Sequence, residues 1–121
     1  MAHVLIVEDS ALAVDALRVL FEETGHRVSV ATTVVQAVDV ARDERPDIML
    51  LDLGLPDGDG LDVLRELRAD GSEPGVTFAL TGSDDKAVTA RCIAAGCREV
   101  LVKPVRPRTL LEKVESVKLT A

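Results

Sequence analysis

The chain has 121 residues, of which 47% are hydrophobic and 2% aromatic, and its formal net charge is -7. This length and apolar content suit one domain with one sizeable core, so we expect a single domain over residues 1–121. The acidic balance argues against direct binding to nucleic-acid phosphates, and the lack of a cleavable leader or of an apolar stretch of roughly 20 residues predicts a cytoplasmic protein outside the membrane.

The first half of the chain alternates short apolar runs with segments of helical periodicity. A first strand is predicted over His3–Val7, and Ser10 is placed to cap a helix that ends near Gly25. A second strand, over His26–Ala31, is interrupted by a serine, which suits the edge of a sheet. Apolar residues at helical spacing predict the inner faces of two helices: Ala13, Ala16, Leu17 and Leu20, then Val34, Ala37, Val38 and Ala41.

The second half continues this alternation. Three more strands are predicted, and a loop from Asp52 to Gly60 follows the first of them. The helix predicted from about Asp84 to Ala95 has only small residues at core spacing, so we expect it to pack weakly and to shift readily. The predicted strands are Asp47–Leu51, Val76–Leu80 and Glu99–Val102, and the predicted inner faces are Leu61, Leu64 and Leu67, then Ala87, Ala90 and Ala94, then Leu110, Val114 and Val117.

Five strands that alternate with five helices predict an α/β fold, with a parallel sheet covered by helices on both faces. The two cysteines, Cys92 and Cys97, have no nearby histidines. They therefore indicate neither a zinc site nor a disulfide framework, and we expect them to pack as small buried hydrophobes.

Polar residues follow four of the five apolar runs. Glu8 and Asp9 follow the first run, Asp52 the third, Thr81 the fourth and Lys103 the fifth. The carboxyl ends of parallel strands open on one edge of the sheet, where open α/β folds bind ligands. We therefore expect three carboxylates, a hydroxyl and an ammonium group to converge on one small site.

The composition of this cluster indicates phosphoryl chemistry with a hard divalent cation. Glu8, Asp9 and Asp52 offer only oxygen ligands, which suit Mg²⁺ or Mn²⁺ and not zinc. Lys103, at the end of an apolar strand, needs an anion beside it, and Gly82 leaves room for a bulky tetrahedral anion. A carboxylate can attack phosphorus to form an aspartyl phosphate, and Asp52 is the best candidate for that nucleophile.

Four segments of the chain resemble the response-regulator receiver domain of two-component signal transduction. They are Val4–Asp9, Asp52–Gly60, Leu80–Gly82 and Lys103–Pro104, in the family's order and at its spacing. The resemblance implies a (βα)5 doubly wound sheet of strand order 2-1-3-4-5, the flavodoxin-like or CheY-like arrangement. It also implies a signalling module, and no metabolic enzyme, that takes a phosphoryl group from a histidine kinase or phosphotransfer protein and then switches its partner binding.

The same resemblance implies a magnesium site. Asp52 would be the phosphoacceptor, and Asp9 and Asp52 would ligate Mg²⁺ directly. Glu8 would hold the ion through water, and the main-chain carbonyl of Gly54 would add a further ligand. The implied chemistry is self-phosphorylation followed by slow self-dephosphorylation.

The resemblance also implies roles on the phosphoryl side of the site. Lys103 would pair with the phosphoryl group, Thr81 would move in to donate a hydrogen bond to it, and the main-chain amide of Gly82 would assist. The Lys103–Pro104 peptide is expected to be cis. An unknown downstream protein would bind the face formed by the fourth helix, the fifth strand and the fifth helix.

One position departs from the family pattern. The fifth-strand position that usually carries the switch aromatic is Val100, and the chain has no Tyr or Trp. A degenerate receiver that acts as a phosphorylation-insensitive binding scaffold is therefore an alternative. A phosphatase with Asp52 as nucleophile is a second alternative, but it needs another acid two residues later, where the chain has Gly54.

Overall fold

The structure is a computed structural model that describes residues 1–118. Its main sheet has five parallel strands, which we number β1 to β5 along the chain: His3–Val7, Arg27–Ala31, Ile48–Asp52, Val76–Thr81 and Glu99–Val102. Their order in the sheet is β2-β1-β3-β4-β5. The predicted flavodoxin-like (βα)5 topology is therefore confirmed.

Five helices cover the two faces of this sheet, and they are α1 (Ala11–Glu23), α2 (Val34–Glu44), α3 (Leu61–Ala69), α4 (Lys86–Ala95) and α5 (Pro107–Glu115). Buried residues of α1 and α5 pack on one face, and buried residues of α2, α3 and α4 pack on the other. Side chains of Ser10, Thr33 and Asp85 accept hydrogen bonds from the first turns of α1, α2 and α4. These caps satisfy amides that the helices leave unpaired, and so they set where each helix begins. Among the described residues, no helix is long and apolar enough to cross a membrane.

The predicted inner face of α4 is wrong, and that of α1 is only partly confirmed. In α1, Leu17 is buried and Leu20 packs partly against the core as predicted, but Val14 and Phe21 complete the buried face and Ala16 is exposed. In α4 the fully buried residue is Cys92, and the three alanines assigned to its inner face are exposed. Larger side chains gain more free energy from burial than alanine does, so they and not the alanines set the rotation of each helix. The α4 helix is thus weakly anchored, as predicted, but by different residues.

Several element ends also differ from the predictions. Strands β3 and β4 each end one residue later than predicted, and β3 also begins one residue later, so Asp52 and Thr81 are the last residues of their strands. The predicted loop after β3 contains a short antiparallel hairpin that pairs Gly54–Leu55 with Gly58–Asp59. Val117, assigned to the fifth helix, lies beyond its last residue and is partly buried against the core.

Candidate functional site

The polar residues predicted to converge do lie together at the carboxyl edge of the sheet. Asp52 is in register with Leu80 on β4, and Thr81 is in register with Val102 on β5. The main-chain amide of Lys103 donates to the carbonyl oxygen of Thr81 at 2.7 Å. The predicted polar residues line an open cleft of about 630 Å³. The residues that line it are Glu8, Asp9, Asp52, Leu53, Gly54, Asp59, Thr81, Gly82, Ser83, Val88, Arg91 and Lys103.

Three carboxylates form the acidic side of this cleft. Ligand oxygens of Glu8, Asp9 and Asp52 all lie within 4.8 Å of one another. Glu8 and Asp52 are buried, whereas Asp9 is exposed. Burial, reinforced by the neighbouring Asp52 carboxylate, raises the pKa of Glu8. Such a crowded, oxygen-only set is suited to a hard divalent cation, which would relieve the repulsion among the carboxylates.

Lys103 provides the opposing positive charge. Its Nζ donates to Oδ2 of Asp52 at 2.7 Å and to Oε2 of Glu8 at 3.3 Å. Burial alone would lower the pKa of Lys103, but the hydrogen bond and the charges of the two carboxylates outweigh that effect and raise it. The ammonium group is therefore held in its charged form beside the phosphoacceptor candidate.

The Asp52 carboxylate is held in a fixed orientation. Its Oδ1 accepts a hydrogen bond from the Gly54 amide at 3.0 Å, while Oδ2 receives the Lys103 bond. Main chain also packs tightly behind it, because a Cβ added at Gly60 would collide with the carbonyl oxygen of Asp52 and lie 2.9 Å from Cα of Leu53. The local backbone therefore requires glycine at position 60 to keep Asp52 in place.

The β4 end supplies the hydroxyl and an open backbone. Thr81 is buried, and its Oγ1 accepts a hydrogen bond from the Ser83 amide at 3.1 Å. A Cβ added at Gly82 would meet no atom within 4 Å, so that side of the main chain faces open space. The Lys103–Pro104 peptide is cis, as predicted.

Three charged residues form contacts that the sequence did not predict: Arg91 and Asp59 line the cleft, and Asp57 lies in the hairpin turn. Arg91 of α4 forms an ion pair with Asp59 of the hairpin at 3.3 Å. Asp57, in the hairpin turn, accepts hydrogen bonds from the Val34 and Val35 amides at 2.7 and 3.3 Å. These bonds lower the pKa of Asp57. All these partners are distant in sequence, so no local pattern could have indicated them.

The fold and the site thus define a doubly wound α/β module with an acid cluster and a lysine at one edge of its sheet. The sequence profile of the response regulator receiver domain matches residues 4–115. The chain therefore belongs to the response-regulator receiver family.

Individual relatives support this membership. The chain is similar to the DNA-binding response regulator MtrA of Mycobacterium tuberculosis strain H37Rv, with 34% identity over 94% of this chain and 49% of MtrA. It spans about half the length of MtrA and of the other MtrA relatives it matches. Protein PilH of Pseudomonas aeruginosa is 32% identical over 97% of this chain and 98% of PilH.

A solved structure is similar in fold and has a metal in its site. It is the receiver domain of sensor histidine kinase PA1611 from Pseudomonas aeruginosa PAO1, with a magnesium ion coordinated in the active-site cleft. The TM-score is 0.81 at 29% identity, and the alignment covers 94% of each chain.

Proposed function

We propose that this chain is the phosphoacceptor module of a two-component or phosphorelay system. Asp52 takes a phosphoryl group from a histidine kinase or phosphotransfer protein, and its phosphorylation state sets which downstream protein binds. The observation that carries the proposal is the environment of the Asp52 carboxylate, which has Lys103 Nζ at 2.7 Å and carboxylate oxygens of Glu8 and Asp9 within 4.8 Å. The proposed module works in the cytoplasm, without direct contact to nucleic acid or membrane.

The residues supply what phosphoryl transfer to a carboxylate needs. An Asp52 oxygen attacks the phosphorus of a phosphohistidine, the phosphorus–nitrogen bond breaks, and the imidazole departs with the bonding electrons. The Lys103 ammonium offsets negative charge on the phosphoryl oxygens, and the hydroxyl of Thr81 and the amide of Gly82 donate hydrogen bonds to them.

A divalent cation completes the proposed site. Glu8, Asp9 and Asp52 would hold Mg²⁺ or Mn²⁺, with the carbonyl of Gly54 as a further ligand. When bound, the ion would neutralise charge on the transferring group. The donor set contains no histidine or cysteine, which agrees with a hard cation.

The proposed chemistry is self-phosphorylation and slow self-dephosphorylation, and not turnover of a metabolite. Gly54 has no side chain and Ser83 has a small one, and because both line the cleft they leave the phosphoryl group accessible to water. The phosphatase alternative lacks its second acid because position 54 is glycine.

The proposed partner surface is the face formed by α4, β5 and α5. Ile93 on α4 and Val102 on β5 are exposed apolar residues there. Val100 is half-buried against the core under α4. An aromatic ring at this position could switch the surface by moving, but the smaller valine has no ring to move. The scaffold alternative depends on this valine. Without a ring that moves, the surface could bind the same partner whether or not Asp52 is phosphorylated.

Intact mass after incubation with acetyl phosphate tests the proposal. Wild type should gain one phosphoryl group with Mg²⁺ and none with EDTA, and Asp52→Asn should gain none. Asp62→Asn is the matched control, because Asp62 is an exposed carboxylate of α3 paired with Arg65. No gain by wild type, under conditions that phosphorylate another receiver, would contradict phosphoacceptor function and favour the scaffold.

A further inference from the structure

We propose that Arg91 is a second cation that responds to the phosphoryl group: it leaves Asp59 and pairs with phosphoryl oxygens once Asp52 is phosphorylated. This inference rests on the proposed function of Asp52. It concerns a residue of α4, the helix with the weakest core anchorage, and it supplies a connection from the site to that helix.

Arg91 belongs to the same cleft as the phosphoacceptor. Arg91 and Val88, one turn apart on α4, line the cleft together with Asp52 and Lys103. The Arg91 side chain is 52% exposed, so rotation of its long stem needs no rearrangement of the core. Lys103 and Arg91 are the two cations among the cleft residues, against four carboxylates.

Asp59 is the fixed partner of this ion pair. Its Oδ1 accepts a hydrogen bond from the Leu61 amide at 2.9 Å, at the start of α3, and its Oδ2 lies 3.3 Å from Nη2 of Arg91. Asp59 is also paired with Gly54 in the hairpin. Because these bonds hold Asp59 in place, an exchange of partners moves the Arg91 side chain and not Asp59, and it pulls on α4 through that side chain.

A phosphoryl group is the stronger partner. A partly exposed ion pair such as Arg91–Asp59 contributes little free energy, because water and salt screen it. A phosphoryl group carries up to two negative charges and can accept two parallel hydrogen bonds from a guanidinium group. Its arrival therefore shifts the preference of Arg91 from Asp59 towards the phosphoryl oxygens.

The packing of α4 allows that shift to become a movement. Cys92 is the fully buried residue of the helix, with Val88 and Ala95 packed partly against the core. A hydrogen bond from Nη1 of Arg68 to the carbonyl oxygen of Ala95, at 2.6 Å, holds the carboxyl end of α4 to α3. The arginine would therefore draw the rest of α4 about this tether, which gives a route to the partner face without an aromatic at Val100.

Binding of beryllofluoride, a tetrahedral mimic of a phosphoryl group on a carboxylate, tests the inference. Isothermal titration with Mg²⁺ would compare wild type with Arg91→Ala and Asp59→Asn. Arg91→Ala should weaken binding by at least about threefold, the scale of one partly exposed charged contact. Asp59→Asn should tighten binding, because it removes the competing charge and keeps an oxygen for the Leu61 amide.

The matched control is Arg65→Ala. Arg65 is 49% exposed and pairs with Asp62 at 3.0 Å on α3, but it does not line the cleft. The Arg65→Ala variant should bind beryllofluoride with the affinity of wild type. In the Arg91→Ala background, Asp59→Asn should not change this affinity, because the arginine it would release is absent. Far-UV circular dichroism would verify that each variant is folded.

Three results would overturn the inference, and one of them would also overturn the proposed function of Asp52. Equal affinities of Arg91→Ala and Arg65→Ala would show that Arg91 does not contact the anion. Changes of the same sign in Arg91→Ala and Asp59→Asn would show that the ion pair only supports the structure. In both cases wild-type binding would leave the proposed function standing, whereas no binding by wild type would overturn the proposed function and this inference together.

Discussion

Lys103→Met should destabilise the protein strongly without a divalent cation and weakly with one. Methionine keeps the aliphatic stem of Lys103 but removes its charge. The carboxylates of Asp52 and Glu8, whose side chains are only 6% and 7% exposed, then have no cation beside them. Removal of one partner from a buried ion pair costs about 3–5 kcal/mol. Because Lys103 itself is 38% exposed, we expect a smaller loss of about 2–4 kcal/mol in EDTA.

Magnesium should restore most of this loss. A cation bound to the acid cluster would take over the charge compensation, and it would bind the variant more tightly because the lysine no longer repels it. The loss should therefore fall below about 1 kcal/mol in excess Mg²⁺ at matched ionic strength.

Urea unfolding followed by far-UV circular dichroism measures both values, since the chain has no Trp or Tyr for fluorescence. Lys113→Met is the matched control: its pair with Glu99, at 2.9 Å, is partly exposed, so its loss should stay within about 1 kcal/mol and be independent of Mg²⁺. An equal loss for Lys103→Met with and without Mg²⁺ would refute the reasoning.

Three further predictions concern other parts of the structure. Gly60→Ala should cost about 1–3 kcal/mol in urea unfolding, because its methyl group would displace the Asp52 backbone, whereas Gly82→Ala should stay within about 0.5 kcal/mol. Asp57→Asn should lower the melting temperature at pH 7. Since the folded pKa of Asp57 is lowered, its stabilisation is present above the ordinary value of 3.8 and is lost as the pH falls through the folded pKa. The melting temperatures of wild type and Asp57→Asn should therefore converge in acid, and a difference that stays constant with pH would contradict a stabilising role of the Asp57 charge on the Val34 and Val35 amides. Burial raises the pKa of Cys97 to about 12 and also raises that of Cys92, so neither thiol should react with Ellman's reagent at pH 8 until urea is added; rapid labelling of the native protein would contradict their burial.

The sheet and the position of the polar cluster were predictable because they depend on local patterns. Each apolar run is long enough to be a buried strand, and the alternation with helices restricts the topology. The residue that directly follows or ends each strand must then lie at the carboxyl edge. For this reason the sequence alone predicts that Glu8, Asp52, Thr81 and Lys103 lie at one site.

The inner faces of α1 and α4 and the outer charges were not predictable in the same way. Alanines at helical spacing in α1 and α4 fit an inner stripe as well as larger residues do, but their burial contributes less free energy. The partners of Asp57 and Arg91 lie more than 20 residues away in the chain. Such contacts depend on how the hairpin packs against α2 and α4, which no local pattern specifies.

The most direct test of the central claim is to locate the phosphoryl group on the chain. Borohydride reduces an acyl phosphate to an alcohol, so treatment of the protein phosphorylated by acetyl phosphate and Mg²⁺ should convert the acceptor aspartate to homoserine. Peptide mass mapping should find homoserine at position 52 and at none of the other acidic positions. Homoserine at Asp9, Asp57 or Asp59, with residue 52 unchanged, would contradict the assignment of Asp52 as the phosphoacceptor.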